Sequence, residues 1–386
     1  MIQTIVAYTK EIDDIETAVQ EILAQLPMQG GLRQNTVGIL ACHYEFVYSG
    51  VVAALQKALP FDTLGAISPS QATPDVAETL MLTLMVLTSD DVSFRTSCSD
   101  SLLGAPAEAV AAAYAKAALP GQKPALILPF AAFLPQNSGD EYVAVLSKAS
   151  GGAPVFGTLA VDDTSTFEHS LTVYRGEHHR DKMALLLMYG DVRPTFYIAT
   201  ISKDKIFDRA ALITKSNGHI LEEVNGRPLA EFFESFGLAQ ASETSYALSS
   251  IPFMLDYGDD TPLVAKVFIA MNEEHHGIFA GHMPEGSTMY MGVFDHDDVL
   301  ATSGEAMRTA VQALQNASGA LVYSCVSRFM TLGTNDLAEL TLAKDILGPK
   351  LPFMMAYSGG EICPTLVRGE TATNRFHNDS FVLCIF

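Results

Sequence analysis

Val37-Gly38-Ile39-Leu40-Ala41-Cys42-His43-Tyr44-Glu45-Phe46 near the start of the chain and Ala320-Leu321-Val322-Tyr323-Ser324-Cys325-Val326-Ser327-Arg328-Phe329 near its end follow one pattern. An apolar run of strand length stops at a cysteine, polar residues follow, and a stretch of helical periodicity comes next. Each is answered by a second apolar run, Leu64-Gly65-Ala66-Ile67-Ser68 in the first case and Met354-Met355-Ala356-Tyr357-Ser358 in the second. A third copy runs from residues 126–133 through a helical segment to Phe156-Gly157-Thr158-Leu159-Ala160. Strand, polar loop, helix and strand make a βαβ unit. Its loop residues stand at the carboxyl ends of buried strands, where open α/β sheets hold their ligands. Any apolar strand that feeds a helix reads in a similar way, so duplication and coincidence both fit these segments.

Outward from these units, strands and helices alternate. Strands are expected at 2–8, 36–42, 63–68, 80–87, 125–130 and 155–160, and helices at 14–25, 47–58, 105–118 and 140–150. Residues 170–200 read as two or three antiparallel strands turning at Gly176 and Gly190. Near Thr214 the style changes: Ser216-Asn217-Gly218 marks a tight hairpin within 214–224, and strand-like segments follow at 263–272, 277–281 and 287–294. Helices at 304–317 and 336–347 then alternate with strands at 320–324, 353–357 and 380–386. The expectation is a two-domain α/β protein, 1–205 and 206–386, with mixed, mainly parallel β-sheets flanked by helices and βαβ units repeated between the halves.

Composition narrows the function. Hydrophobic residues make up 48% of the 386 and charged residues 17%, which permits sizeable cores and argues against wholesale disorder. No uncharged apolar run approaches the roughly 20 residues that cross a bilayer, so no membrane insertion is expected. The formal charge of −21, from 23 basic and 44 acidic side chains, repels a phosphate backbone, and no basic stripe offsets it. Nucleic acid is therefore not an expected partner. The first eight residues lack the basic region and cleavage site of an export signal, and the five cysteines include no CxxC pair. Reduced thiols and a cytoplasmic location are expected. No Walker-type loop or strand-borne GxGxxG is present, which argues against a nucleotide enzyme.

Several segments carry a family resemblance. Leu321–Phe329, then Met354-Met355-Ala356-Tyr357-Ser358-Gly359-Gly360-Glu361-Ile362-Cys363-Pro364, then His377-Asn378-Asp379-Ser380-Phe381 closely resemble the FIST C-terminal domain. The hairpin of residues 214–224 leading into Asn225-Gly226-Arg227-Pro228, and the turn Met283-Pro284-Glu285-Gly286, resemble further parts of it. The N-terminal half is similar to the FIST N-terminal domain at Val37–Ala41 and Phe156-Gly157, and Asp162-Asp163 resembles its glycine–acid loop. Gly65-Ala66-Ile67-Ser68-Pro69 departs from the glycine-plus-acid ending usual there. The resemblance implies an intracellular signal-input module, not an enzyme, that binds a small ligand such as an amino acid. With no output domain alongside, its signal would pass to a separate partner such as a histidine kinase or cyclase. It implies no obligatory cofactor, and a haem-based gas sensor stands as an alternative because some relatives bind haem.

Arg328 and Glu361 are the leading site candidates, each just beyond an expected strand of one βαβ unit. A guanidinium grips a carboxylate bidentately and a glutamate accepts from an ammonium, so the two would hold an amino acid by its charged ends. Alternatively they pair with each other. Ser324, Ser358, Gly360, His377 and Asn378 stand ready to add neutral hydrogen bonds. Cys325, the remaining ligand-site candidate, would with His377 as base make a cysteine-dependent hydrolase or transferase. Inert packing is the simpler reading of Cys325, and of Cys42 in the first copy. The metal or haem candidates are His178-His179, His275-His276, His282, Cys42-His43 and Asp295-His296-Asp297-Asp298. Adjacent strand histidines point to opposite faces and no ligand spacing appears, so no metal is expected. One axial histidine would suffice for haem.

Overall fold

Long apolar runs such as Val37–Cys42 need cover on both faces, because every residue in them is buried. That requirement is met three times by one arrangement in the computed structural model, which describes residues 1–28, 31–164, 166–238, 251–293 and 295–386. The first unit runs β1 (Gln3–Thr9), α1 (Ile15–Ala24), β2 (Asn35–Cys42), α2 (Glu45–Tyr48), α3 (Val51–Ala58), β3 (Thr63–Ile67), β4 (Gln71–Ala72), β5 (Ala77–Glu78) and β6 (Leu82–Ser89). The second runs β7 (Ser93–Cys98), α4 (Pro106–Ala117), β8 (Leu126–Ala132), α5 (Gly139–Ser150), β9 (Gly157–Ala160), β10 (Thr172–Tyr174), β11 (Glu177–His179) and β12 (Met183–Tyr189).

The third unit opens with β13 (Thr195–Ala199) and is then interrupted by a β-rich insert. The insert holds β14 (Ala211–Asn217), β15 (Ile220–Val224), β16 (Arg227–Pro228), α6 (Leu229–Glu234), β17 (Phe253–Asp256), β18 (Val264–Lys266), β19 (Phe268–Met271), β20 (Gly277–Phe279) and β21 (Thr288–Met291). The unit resumes with α7 (His296–Gln312), β22 (Ala320–Cys325), α8 (Val326–Leu332), α9 (Ala338–Leu347), β23 (Phe353–Ser358), β24 (Glu361–Arg368), β25 (Thr371–His377) and β26 (Phe381–Ile385). Phe233, Phe253, Phe268 and Phe279 give the insert its own aromatic core. No helix is long and apolar enough to cross a membrane among the described residues.

In each unit the two strands joined by a helical crossover run parallel, β2 with β3, β8 with β9 and β22 with β23. These pairs are the three βαβ segments quoted above. The closing strand (β6, β12 or β26) lies antiparallel on the other side of the first, and the opening strand (β1, β7 or β13) lies beyond it. The hairpin after the second strand leaves its own unit. β4–β5 joins β23, β24–β25 joins β9, and β10–β11 joins β3, so the three sheets exchange hairpins around a closed ring.

The α/β class with mixed sheets flanked by helices is as expected, but the sheets are not mainly parallel. Only those three pairs run parallel among the described residues. The alternation of strands and helices misleads because the closing strand slots between the opening strand and the next one, turning one parallel neighbour into two antiparallel contacts. Other boundaries moved for local reasons. The helix expected at 304–317 starts at His296, because the Asp295 carboxylate caps it by accepting from the Asp298 N–H. Asp295-His296-Asp297-Asp298 is thus a helix start. The strand expected at 287–294 is Thr288–Met291, and Phe294 lies outside the described residues.

The halves read from sequence, 1–205 and 206–386, interlock through β4–β5, β13 and β24–β25. Produced as separate chains, neither half should give a cooperatively unfolding monomer, because each leaves strand edges of the other unpaired. Co-expression should restore a one-to-one complex. Soluble, independently folded halves on size exclusion and thermal melting would contradict the ring.

Candidate functional site

At the end of β22 the chain passes straight into α8, so Cys325, Val326 and Ser327 turn in place. Beside them Gly359-Gly360 turns β23 into β24. Gly360 has φ +150, and a Cβ there would stand 2.3 Å from the Phe376 ring, so only glycine fits. The third turn, Asn378-Asp379-Ser380, joins β25 to β26, with Asp379 in the left-handed region. These turns form one end of a cavity of about 250 Å3. Its apolar walls come from Phe133, Pro135, Val161 and Phe167 of the second unit and from Val267, Phe268, Ile269 and Ala280 of the insert, with Met330 of α8 alongside.

The insert is held against this wall by a buried ion pair. Lys266 is fully buried, and its Nζ donates to Asp140 Oδ2 and to the Phe376 carbonyl, both at 2.8 Å. The same Asp140 oxygen accepts from the His282 N–H at 2.7 Å. Burial alone would raise the Asp140 carboxyl, but the Lys266 and His282 interactions outweigh it and hold it below its ordinary value.

The structure corrects the leading expectation. Arg328 neither lines the cavity nor pairs with Glu361. It is fully buried, and its Nη2 and Nε donate to Glu339 Oε1 at 2.9 and 3.1 Å. Its remaining donors reach the Val299 and Thr200 carbonyls and the Thr302 hydroxyl. Ser324 serves the same pair, donating to Glu339 Oε2 at 2.7 Å. Every arm of the guanidinium is committed, so no ligand carboxylate is met by it. Glu339 shares a buried face of α9 with Leu340, Ala343 and Leu347. An acid on an apolar stripe needs a buried cation, and Arg328 supplies it.

The other candidates divide. Cys325 and Asn378 line the cavity. Ser358 organises the glycine turn: its hydroxyl donates to the Gly360 carbonyl at 2.8 Å and accepts from the Gly360 N–H at 3.1 Å. His377 donates from Nε2 to the Cys363 carbonyl at 3.2 Å and makes no bond to Cys325. Burial and the Lys266 charge hold its imidazole neutral, lowered to about 4. Burial, with Glu361 and Asp379 nearby, raises the Cys325 thiol well above its ordinary value, the reverse of what a nucleophile needs. Among the described residues no histidine lines the cavity. Among the described residues no group of three His, Cys, Asp or Glu side chains is arranged to hold a metal ion. Asp162 caps its own loop, accepting from the Thr164 and His169 N–H groups.

Two acids behind this end are unpartnered on one side. Glu361 Oε2 accepts from the Ser380 hydroxyl at 2.7 Å, and Asp379 Oδ1 accepts from the Ser327 hydroxyl. Glu361 Oε1, Asp379 Oδ2, Asn378 Oδ1 and His377 Nδ1 are buried without a hydrogen-bond partner in the protein. Burial pushes the Glu361 carboxyl up to about 8 and Asp379 up to about 7. Sequence reading passed over Asp379 and Ser327, although both sit inside the motifs it quoted.

The cavity is thus lined by the second unit, the third unit and the insert. Residues 36–227 match the FIST N domain and residues 229–364 the FIST C domain, so the chain belongs to the FIST family, whose domains are sensory domains of signal transduction. No curated protein matches the sequence. Among solved structures, Thermotoga maritima PurL complexed with ADP is 10% identical, covering 100% of this chain and 71% of that chain at a TM-score of 0.20. PurLQS from the same organism is 9% identical, covering 100% and 72%, at 0.21. Similarity of that size carries no structural or functional weight.

A carboxyl whose proton is held more tightly in the folded state than in the unfolded one makes the fold less stable as pH rises between the two values. For Glu361 that window runs from about 4.5 to about 8. Glu361→Gln does not titrate there, so its stability relative to the parent should climb across the window in denaturant titrations. His377 titrates in both proteins and cancels. A pH-independent difference would show that the Glu361 carboxyl is not held neutral by burial.

Proposed function

We propose that the chain is a sensory protein that binds a small organic ligand in the cavity between the second unit, the third unit and the insert. Occupancy would be reported through the insert to a separate signalling partner, a histidine kinase or cyclase being the kind that FIST proteins suggest. The observation that carries this reading is an apolar cavity with a buried, unpartnered polar side chain, Asn378, at one end. Apolar walls supply affinity and a few fixed polar groups supply orientation, the usual division in small-molecule sites. The insert contributes Val267, Phe268 and Ile269 directly beside its buried anchor Lys266, so a ligand that fills the cavity presses on the joint between insert and core.

Ligand binding without turnover is the better-supported reading of Cys325. A hydrolase or transferase needs a thiolate and a base, and this thiol has two acids as neighbours and no histidine in contact. The proposed setting is cytoplasmic, where buried cysteines such as Cys325 and Cys363 stay reduced.

A thermal-shift panel of small metabolites of each charge type tests the site. A ligand present at about 100 times its Kd should stabilise the protein by roughly 2.7 kcal/mol. Met330→Trp, which narrows the cavity from a side chain 38% exposed, should abolish the shift while leaving the unliganded melting point nearly unchanged. No shift from a broad panel, or one that survives Met330→Trp, would remove the cavity as the site.

A further inference from the structure

The polar end of the cavity has a chemical bias that deepens the reading above and rests on it. Asn378 is 1% exposed and lines the cavity, and its Oδ1 has no partner. Ser327 also lines it, but its hydroxyl is already donated to Asp379. Behind the lining, close to Cys325 but not themselves part of the cavity wall, lie Asp379 Oδ2 and Glu361 Oε1, likewise buried and unpartnered. All three are oxygens, and the two carboxyl oxygens become pure acceptors once a cation beside them favours ionisation. Among the described residues none that lines the cavity is basic. The two buried cations nearest this end are committed, Arg328 to Glu339 and Lys266 to Asp140. Each of those pairs balances itself, which leaves Glu361 and Asp379 as acids with no counter-ion.

We propose that the cavity takes an organic amine, its ammonium head seated at the Asn378–Asp379–Glu361 end and its apolar body along Phe133 and Phe268, and that it discriminates against carboxylates. A buried carboxyl without a cation either keeps its proton or waits for a positive partner, since isolated burial of its charge is very unfavourable. An ammonium supplies both the missing donors and the missing charge. A carboxylate head could accept from the Asn378 amide N–H, but it would bring a further negative charge beside two acids that have no counter-ion. A free amino acid carries both groups, and the guanidinium that would take its carboxylate is sealed away behind Glu339. The apolar body follows from the walls, where aromatic and aliphatic side chains dominate.

Phenethylamine, phenethyl alcohol, hydrocinnamate and phenylalanine differ mainly in head group, and isothermal titration of the full-length protein with each separates the cases. Phenethylamine is expected to bind at least about tenfold more tightly than the alcohol, and hydrocinnamate and phenylalanine more weakly than either. Asp379→Asn and Glu361→Gln should each weaken phenethylamine by about tenfold or more and leave the alcohol within about twofold, with melting points at or above the parent's because each removes an unpaired buried acid. Binding of the alcohol or hydrocinnamate, lost in Met330→Trp, with phenethylamine no tighter, would overturn the amine assignment and leave the cavity as the sensory site. Equal weakening of amine and alcohol by the two variants would likewise overturn the head-group placement. Failure of all four probes and of the wider metabolite panel would overturn the cavity reading together with this one.

Discussion

Backbone hydrogen bonding at three short strand edges is the constraint on which the molecule rests. β3, β9 and β23 each have one side paired to their parallel partner, β2, β8 or β22, and within their own unit the other side open. A buried open edge leaves N–H and C=O groups unsatisfied, an expense a core does not tolerate. Each edge is closed by a hairpin from a different unit, so no unit is complete alone. Side chains reinforce the joints: the Thr158 hydroxyl donates to Ser358 at 2.7 Å, and the Tyr357 N–H donates to the Ser68 hydroxyl at 2.9 Å. The turns that shape the cavity, at Gly359-Gly360 and Asn378-Asp379, are the two ends of one exchanged hairpin. The site therefore exists because the ring closes.

Charge is distributed around the site by local pairing. Arg328 and Glu339 satisfy each other at the base of α8 and α9, and Lys266 and Asp140 tie the insert to the second unit. Breaking a buried pair of this kind typically destabilises by about 3–5 kcal/mol, because the surviving charge is stranded. These pairs are structural, and their completeness is what leaves the neighbouring acids conspicuous. Glu361 and Asp379 each spend one oxygen on a serine hydroxyl and hold the other free.

Much of the fold was legible because it is written in local signals. Apolar runs such as 37–42 and 320–325 place their strands within a residue or two. The repeated βαβ unit was visible as well. What stayed hidden depends on pairing between distant segments. β24 and β25 were missed because Pro364 and the glycine pair disguise a strand that tolerates the proline at a bulge, where register shifts between Pro364 and Leu366. The site was half legible. Cys325 and Asn378 were found from their place beyond strands, but nothing local says that Arg328 turns to Glu339, eleven residues on across a helical break, and not to Glu361. The insert wall at Val267–Ile269 reaches the cavity only through the tertiary fold.

Hydrogen exchange of the full-length protein with and without a ligand that raises its melting point tests the central claim most directly. The account predicts that added protection concentrates in residues 266–269, 325–330, 358–361 and 377–380, the insert wall and the three turns it faces. Protection confined to the surface hollow that Leu300, Arg308, Leu337 and Thr341 line on α7 and at the start of α9, with those four segments unchanged, would contradict it.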